Sequence, residues 1–267
     1  MRKFEITLQK SMIKIVLYQG GYMSKIVSFL LILLTSTPLL ASPSKSICGI
    51  DDNRVLSFEP RIGRLSTLES NRGCTATLIS DSCAITAGHC ERVLIRAEFN
   101  TPISQDTTPQ PSSPEDVYMI DQDSISLQAE GPGKDWAVFK FKPNEITGRL
   151  PGEVQGYYDV SFKRVSRGSK IRITGYGRDT EDDTGNFAQQ THTGELTAAG
   201  SLFNWALIKH TVDTMGGNSG SSIILEKSQK IIGIHSHAGC EAHGGSNKGT
   251  YIKNHSELKA AIKACLE

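Results

Sequence analysis

Apolar and polar positions alternate in short runs along most of the chain. Ile62-Gly63-Arg64-Leu65, Ala76-Thr77-Leu78-Ile79 and Ala84-Ile85-Thr86 have the period of two that turns one face of a strand inward, and Ser80-Asp81-Ser82 breaks the last two apart. Similar runs predict strands over residues 117–120, 125–127, 136–141, 170–174, 194–197, 205–209, 221–225 and 230–234. Turn-forming stretches separate them: residues 100–114 carry four prolines among Ser, Thr and Gln, Gly175-Tyr176-Gly177 is a turn, and residues 179–183 are an acidic loop. Only the tail has helical spacing, with Leu258, Ala261, Ile262 and Cys265 on one face and Ser256 placed to cap it. Many short strands, frequent turns and one closing helix predict an all-β barrel or sandwich in two similar halves, although no internal sequence repeat is visible.

Charge changes this picture little. With 267 residues and a net charge of +1, the chain can bury one large or two modest cores and has no global field to attract nucleic acid or a membrane surface. The amino end reads as a targeting segment, residues 1–41. From Met23 it has a basic start at Lys25, an apolar run over residues 26–34 too short to span a bilayer comfortably, and a small-residue exit at Leu39-Leu40-Ala41. Residues 1–22 would then lie upstream of the true start. Export to the periplasm or the medium fits the six cysteines, an even set beyond that segment whose spacings match no zinc motif. Three bridges are expected, with no metal, no cofactor and no membrane contact once the signal is removed.

Candidate chemistry lies in three places. Asp213-Thr214-Met215-Gly216-Gly217-Asn218-Ser219-Gly220-Ser221 crowds small residues around one serine, which lets backbone N–H groups turn towards whatever that serine attacks. His89 follows the strand that ends at Thr86, and Asp135 precedes the apolar run Trp136-Ala137-Val138-Phe139. Singly, these residues suit a turn, a structural histidine and a turn aspartate. Together they supply a nucleophile, a base to take its proton and an acid to fix the base's tautomer. The order His, Asp, Ser excludes an α/β-hydrolase, and Ser221 stands where a G-x-S-x-G elbow needs its last glycine.

The chain resembles the chymotrypsin-like (trypsin-like) serine proteases, and within them most of all the bacterial glutamyl endopeptidase, or V8-like, branch. The matching pieces are Cys74 through Cys90, Lys134 through Phe141 with Pro143-Asn144-Glu145 after it, Gly175-Tyr176-Gly177, Gly216 through Ser221, and Ile232-Gly233-Ile234-His235. The resemblance implies two six-stranded antiparallel barrels, divided near residues 145–160, with the active site between them and a short C-terminal helix. It implies a monomeric secreted serine endopeptidase, made as a zymogen and acting on proteins or peptides. Catalysis would fall to His89, Asp135 and Ser219, with the N–H groups of Gly217 and Ser219 as the oxyanion hole.

In the V8-like branch a threonine and a histidine at the positions of Thr214 and His235 bind a substrate glutamate, and a hydroxyl and an imidazolium are suitable donors. Asp213 occupies the place where the trypsin branch keeps an aspartate for basic side chains, so a tryptic or mixed preference is the alternative. A catalytically silent binding protein on the same scaffold is a more distant one. The family pattern also implies processing after a pro-segment of residues 42–46, leaving a protease domain over 47–267 with the amine of Ile47 near the pocket. Asn218, in place of an aspartate, excludes a trypsin-style ion pair with that amine. Cys74 and Cys90 match the pair that braces the histidine loop. The fold of the family would bring Cys265 to Cys83 and Cys240 to Cys48. His237 replaces an aromatic residue that commonly lines the substrate groove.

Overall fold

A computed structural model of the protein describes residues 46–70, 73–179 and 181–267; the expected signal region and residues 42–45 of the pro-segment lie outside them. Two closed antiparallel barrels account for most of the described chain. The first is built from β1 (Ile62–Ser66), β2 (Thr75–Leu78), β3 (Cys83–Thr86), β4 (Arg96–Glu98), β5 (Val117–Ala129) and β6 (Asp135–Phe141), in ring order β1-β2-β3-β6-β5-β4. The second contains β7 (Lys170–Gly175), β8 (Gln190–Ala199), β9 (Leu207–His210), β10 (Ser222–Leu225), β11 (Lys230–His237) and β12 (Asn247–Tyr251). They pair as β8-β9-β12-β11-β10-β7, and the ladder between β7 and β8 closes the ring. Closure leaves no long unpaired edge in either barrel.

Inward residues fill each barrel. Ile62, Leu65, Leu78, Ile85, Phe99, Tyr118 and Phe139 pack the first, and Ile171, Ile173, Leu196, Ile208, Ile223 and Ile232 pack the second. The closing helix Ser256–Leu266 lies on the first barrel, where Leu258 and Ile262 are fully buried and Ala261 and Cys265 pack beside them. Each of the two buried aliphatic side chains contributes about 1.5–3 kcal/mol. The cap of this helix is His255 rather than Ser256, for the His255 ring Nδ1 accepts from Leu258 N at 3.2 Å.

Several elements differ from the sequence reading. The runs at 117–120 and 125–127 form one strand, interrupted by a register shift between Asp121 and Ser126. The run at 230–234 extends as β11 to His237. Strands β4 and β12 were not anticipated, because neither shows an apolar alternation. In β4, Glu98 is buried by pairing with Arg64 at 2.7 Å and Arg96 at 3.1 Å, and in β12 the buried Asn247 and Thr250 are held by named hydrogen bonds. Between the barrels, residues 142–169 carry the short helix Pro151–Gln155.

Candidate active site

His89 sits in the short 3₁₀ helix Gly88–Val93 that follows β3, and Asp135 opens β6, which pairs with β3. The buried Asp135 carboxylate accepts from His89 N at 2.9 Å and meets His89 Nδ1 at 2.6 Å. A carboxylate at that distance fixes the proton on Nδ1 and leaves Nε2 as the acceptor. Asp135 is itself held from the second barrel. Thr250 Oγ1 donates to its carbonyl at 2.9 Å and accepts from its N–H at 3.1 Å.

Ser219 lies on the loop before β10. Its carbonyl accepts from Thr75 N at 2.9 Å, while Thr75 Oγ1 donates to Gly217 O and accepts from Tyr176 N, both at 3.0 Å. The neighbouring Cys74 forms a disulfide with Cys90, beside His89. Cys74, just before β2, and Thr75, its first residue, therefore fasten the histidine turn and the serine loop to one strand. Gly220 makes the approach possible: it has φ +89°, and a Cβ there would lie 1.9 Å from Thr86 Oγ1 and 2.3 Å from Thr75 O. No hydrogen bond joins Ser219 Oγ to the His89 ring among the described residues, and in free enzymes with this chemistry that bond is commonly long.

The loop is closed by its own bonds. Asn218 N donates to Met215 O and Asn218 Oδ1 accepts from Met215 N, both at 2.9 Å; Ser221 N donates to Asn218 O, and Gly220 N to His235 O. The amides of Gly217 and Ser219 have no acceptor among the described residues. Gly217 adopts φ +108°, with its Cα packed so closely on Tyr176 O that a Cβ would come within 2.2 Å. These two N–H groups flank a braced turn and are left to meet an acceptor from outside the loop.

Around Thr214, the residue that docks is Ser46. Thr214 N and Asn247 Nδ2 donate to Ser46 O, Ser46 Oγ donates to Thr214 O, and Thr214 Oγ1 donates to Ser46 Oγ at 3.1 Å. Ile47, buried beside it, makes none of these bonds. Asp213 has its carboxylate committed to the same amino-terminal segment, accepting from Cys48 N at 2.7 Å and from Asn53 N at 3.0 Å, with no exposed side-chain surface. The Cys48–Cys240 disulfide ties that segment to the pocket, and Cys83–Cys265 ties the closing helix to β3.

His235 reaches the pocket region from β11 and is backed by His210, with His210 Nε2 and His235 Nδ1 at 3.1 Å. Burial, followed by the nearby His210, His237 and His89, holds His235 well below the usual histidine range, and burial pushes His210 down to about 3. Both rings are therefore neutral near pH 7, not the imidazolium that the family resemblance implied. Their tautomers follow from the backbone. Val212 N must donate to His210 Nδ1 (3.2 Å), so His210 carries its proton on Nε2 and donates it to His235 Nδ1. A neutral His235 then keeps its own proton on Nε2, as a donor. Among the described residues, the one three-residue cluster of metal-ligand types, Cys74, His89 and Cys90, has both sulfurs consumed in a disulfide and suits no ion.

Two antiparallel barrels with a histidine, a buried aspartate and a loop serine grouped between them define the class of trypsin-like hydrolases. Residues 49–262 match the trypsin family, and the chain belongs to it: this is a serine endopeptidase. Among curated proteins no sequence matches. Solved structures similar in fold include a Glu endopeptidase in complex with MPD, at 21% identity and a TM-score of 0.61, covering 83% of this chain and all of that one. A thermostable serine protease, AL20, from an extremophilic microorganism has 16% identity and a TM-score of 0.58, covering 77% and 96%. The protease Anisep from Arthrobacter nicotinovorans has 16% identity and a TM-score of 0.59, covering 79% and 98%.

The sequence did not single out Thr75, Thr250, His210, Asn247 or Ser46. All except His210 are small polar residues, whose importance depends on partners more than a hundred residues away, or 33 and 35 positions away for Asn247 with Thr214 and Val212. His210 at the end of a predicted strand was the one available signal.

Proposed function

We propose that this endopeptidase cleaves after glutamate. The observation that carries the proposal is the His210–His235 pair, which supplies a neutral N–H donor at the pocket while the Asp213 carboxylate is occupied by Cys48 and Asn53. A free aspartate 4 Å from a substrate carboxylate would repel it by about 4 kcal/mol at an effective dielectric of 20; an aspartate saturated by backbone N–H groups and hidden from the pocket does so far less. A preference for arginine or lysine needs that carboxylate in the pocket. Peptides differing only at the residue before the scissile bond test the reading, and fastest cleavage after a basic residue would refute it.

In the acyl-transfer cycle, Ser219 Oγ attacks the carbonyl as His89 Nε2 takes its proton, Asp135 stabilises the imidazolium, and the Gly217 and Ser219 amides hold the oxyanion. His89 then returns the proton to the leaving amine, and water repeats the sequence to release the acid. Ser219→Ala is expected to abolish hydrolysis while leaving the melting temperature within a few degrees; turnover by that variant would remove Ser219 from its role.

The enzyme works outside the cytoplasm, with its cysteines in three disulfides and no helix among the described residues long and apolar enough to cross a membrane. Processing starts the mature chain at Ser46, one residue before Ile47. A cut after Ser46 would discard its bonds to Thr214 and Asn247, whereas a cut before it sets a free ammonium beside the glutamate site. Amino-terminal sequencing of the secreted protein decides this, and a start at Ile47 would refute it.

A further inference from the structure

A second imidazole enters the cleft beside His89. His237 ends β11, where the register against β12 shifts between His235 and His237, and such a bulge re-aims a side chain. His235 is buried against His210, but His237 keeps 36% of its side chain exposed and stands edge-on to His89, with 5.7 Å between ring centroids. Its Nδ1 is bonded to Ser236 Oγ at 2.8 Å and lies 3.6 Å from Asp135 Oδ2. Across the ladder from His237 is Lys248, partly exposed and without a carboxylate partner among the described residues. The charged and titratable groups facing His237 are Asp135, His89, Lys248 and the buried, neutral His235. Asp135 is buried and already accepts from two N–H groups of His89, so it presents no anion at the cleft surface. Next to the reacting histidine this leaves Lys248 as a cation without an ion-pair partner among the described residues, beside an imidazole whose nearest anion is the buried Asp135.

We propose that His237 and Lys248 form a subsite that selects a second acidic residue in the substrate, within two positions of the residue held at His235. The inference rests on the endopeptidase reading and deepens its substrate class to acidic peptides with closely spaced carboxylates. A segment laid along β11 covers about 7 Å in two extended residues, enough to pass from His235 to His237. Lys248 supplies the positive charge of the subsite. Burial lowers the pKa of His237, Asp135 raises it, and His89 and Lys248 lower it again, so its own charge is added only on acidification below the ordinary histidine range.

The test uses quenched peptides with the preferred cleavage residue fixed, alanine at the two positions on each side, and Asp or Lys introduced at one position at a time. At about 50 mM salt, Asp at one or two adjacent positions is expected to raise kcat/KM roughly five- to tenfold over Ala, through KM, and Lys to lower it. The gain is expected to fall below about twofold in 0.5 M salt. Lys248→Gln is expected to weaken the preference and Lys248→Glu to reverse it, while His237→Gln loses whatever additional gain appears on acidification and keeps the gain at pH 8. Equal rates for the Asp, Ala and Lys peptides at low salt, or a preference unchanged in Lys248→Glu, would overturn the proposal. Cleavage after a residue other than glutamate would sink the glutamate reading alone, and the same scan built on the residue actually preferred still decides the subsite.

Discussion

Replacing His210 with phenylalanine removes a buried imidazole without leaving a large cavity, and its consequences can be worked out from two bonds. The variant strands Val212 N–H and His235 Nδ1, which His210 satisfies at 3.2 and 3.1 Å. Leaving a buried polar group unpaired costs about 1–3 kcal/mol, so the fold should lose roughly 2–6 kcal/mol in total. The effect on activity is separate. Without His210, nothing holds the His235 proton on Nε2, and the other tautomer turns a lone pair towards the substrate carboxylate. Loss of a hydrogen bond to a charged group is worth about 1.5–3 kcal/mol, or some 10- to 100-fold in kcat/KM. That loss should fall on glutamate substrates and largely spare the matching glutamine substrates. The assay is the Glu-to-Gln ratio of kcat/KM for wild type, His210→Phe and His210→Gln. Glutamine can accept from Val212 N–H with its carbonyl and donate to His235 with its amide, and is expected to restore most of the ratio. A His210→Phe enzyme that folds and keeps the wild-type ratio would refute the tautomer argument.

Three further outcomes are expected. Thr75→Val removes the hydroxyl that grips Gly217 O and accepts from Tyr176 N, and is expected to lower kcat about 10- to 100-fold with little change in KM; an unchanged kcat would deny Thr75 any part in holding the oxyanion loop. Stability should fall on acidification, because His210 is depressed to about 3 in the fold against about 6.5 unfolded. Between those values the unfolded chain binds the extra proton, so the contribution is complete above pH 6.5 and drains away towards pH 3. Thermal melts across that window should show a shallower slope for His210→Gln than for wild type, and parallel slopes would contradict the assignment. Opening the Cys83–Cys265 bridge with Cys265→Ser releases a loop of 182 residues and should cost about 2–5 kcal/mol while leaving the specificity of the remaining folded enzyme intact; denaturant midpoints measure the first effect and the peptide panel the second.

Much of the architecture was legible because it rests on local signals. Alternation in β1, β2, β3 and β6 marks faces that one barrel must bury, and the spacing of Leu258 and Ile262 marks the helix that covers it. The strands that went unread, β4 and β12, carry Arg96, Glu98, Asn247 and Thr250. Those polar side chains are buried only because a partner elsewhere satisfies them, and no local pattern reports a partner. Likewise the cap fell to His255 because its ring, not the Ser256 hydroxyl, reaches Leu258 N–H.

The same division runs through the site. Sequence alone determined the chemical inventory: a histidine, an aspartate and a serine in the trypsin order, small residues around the serine, and an even set of cysteines. These are matters of residue type and chain order, which folding does not alter. Tertiary structure decided how the inventory is used. It turned Asp213 towards Cys48 and Asn53, placed Ser46 against Thr214, and set His210 behind His235. Each of those outcomes depends on the direction of a side chain at the meeting of distant segments, and direction is fixed by packing, hydrogen bonding and burial together, none of which a linear sequence states.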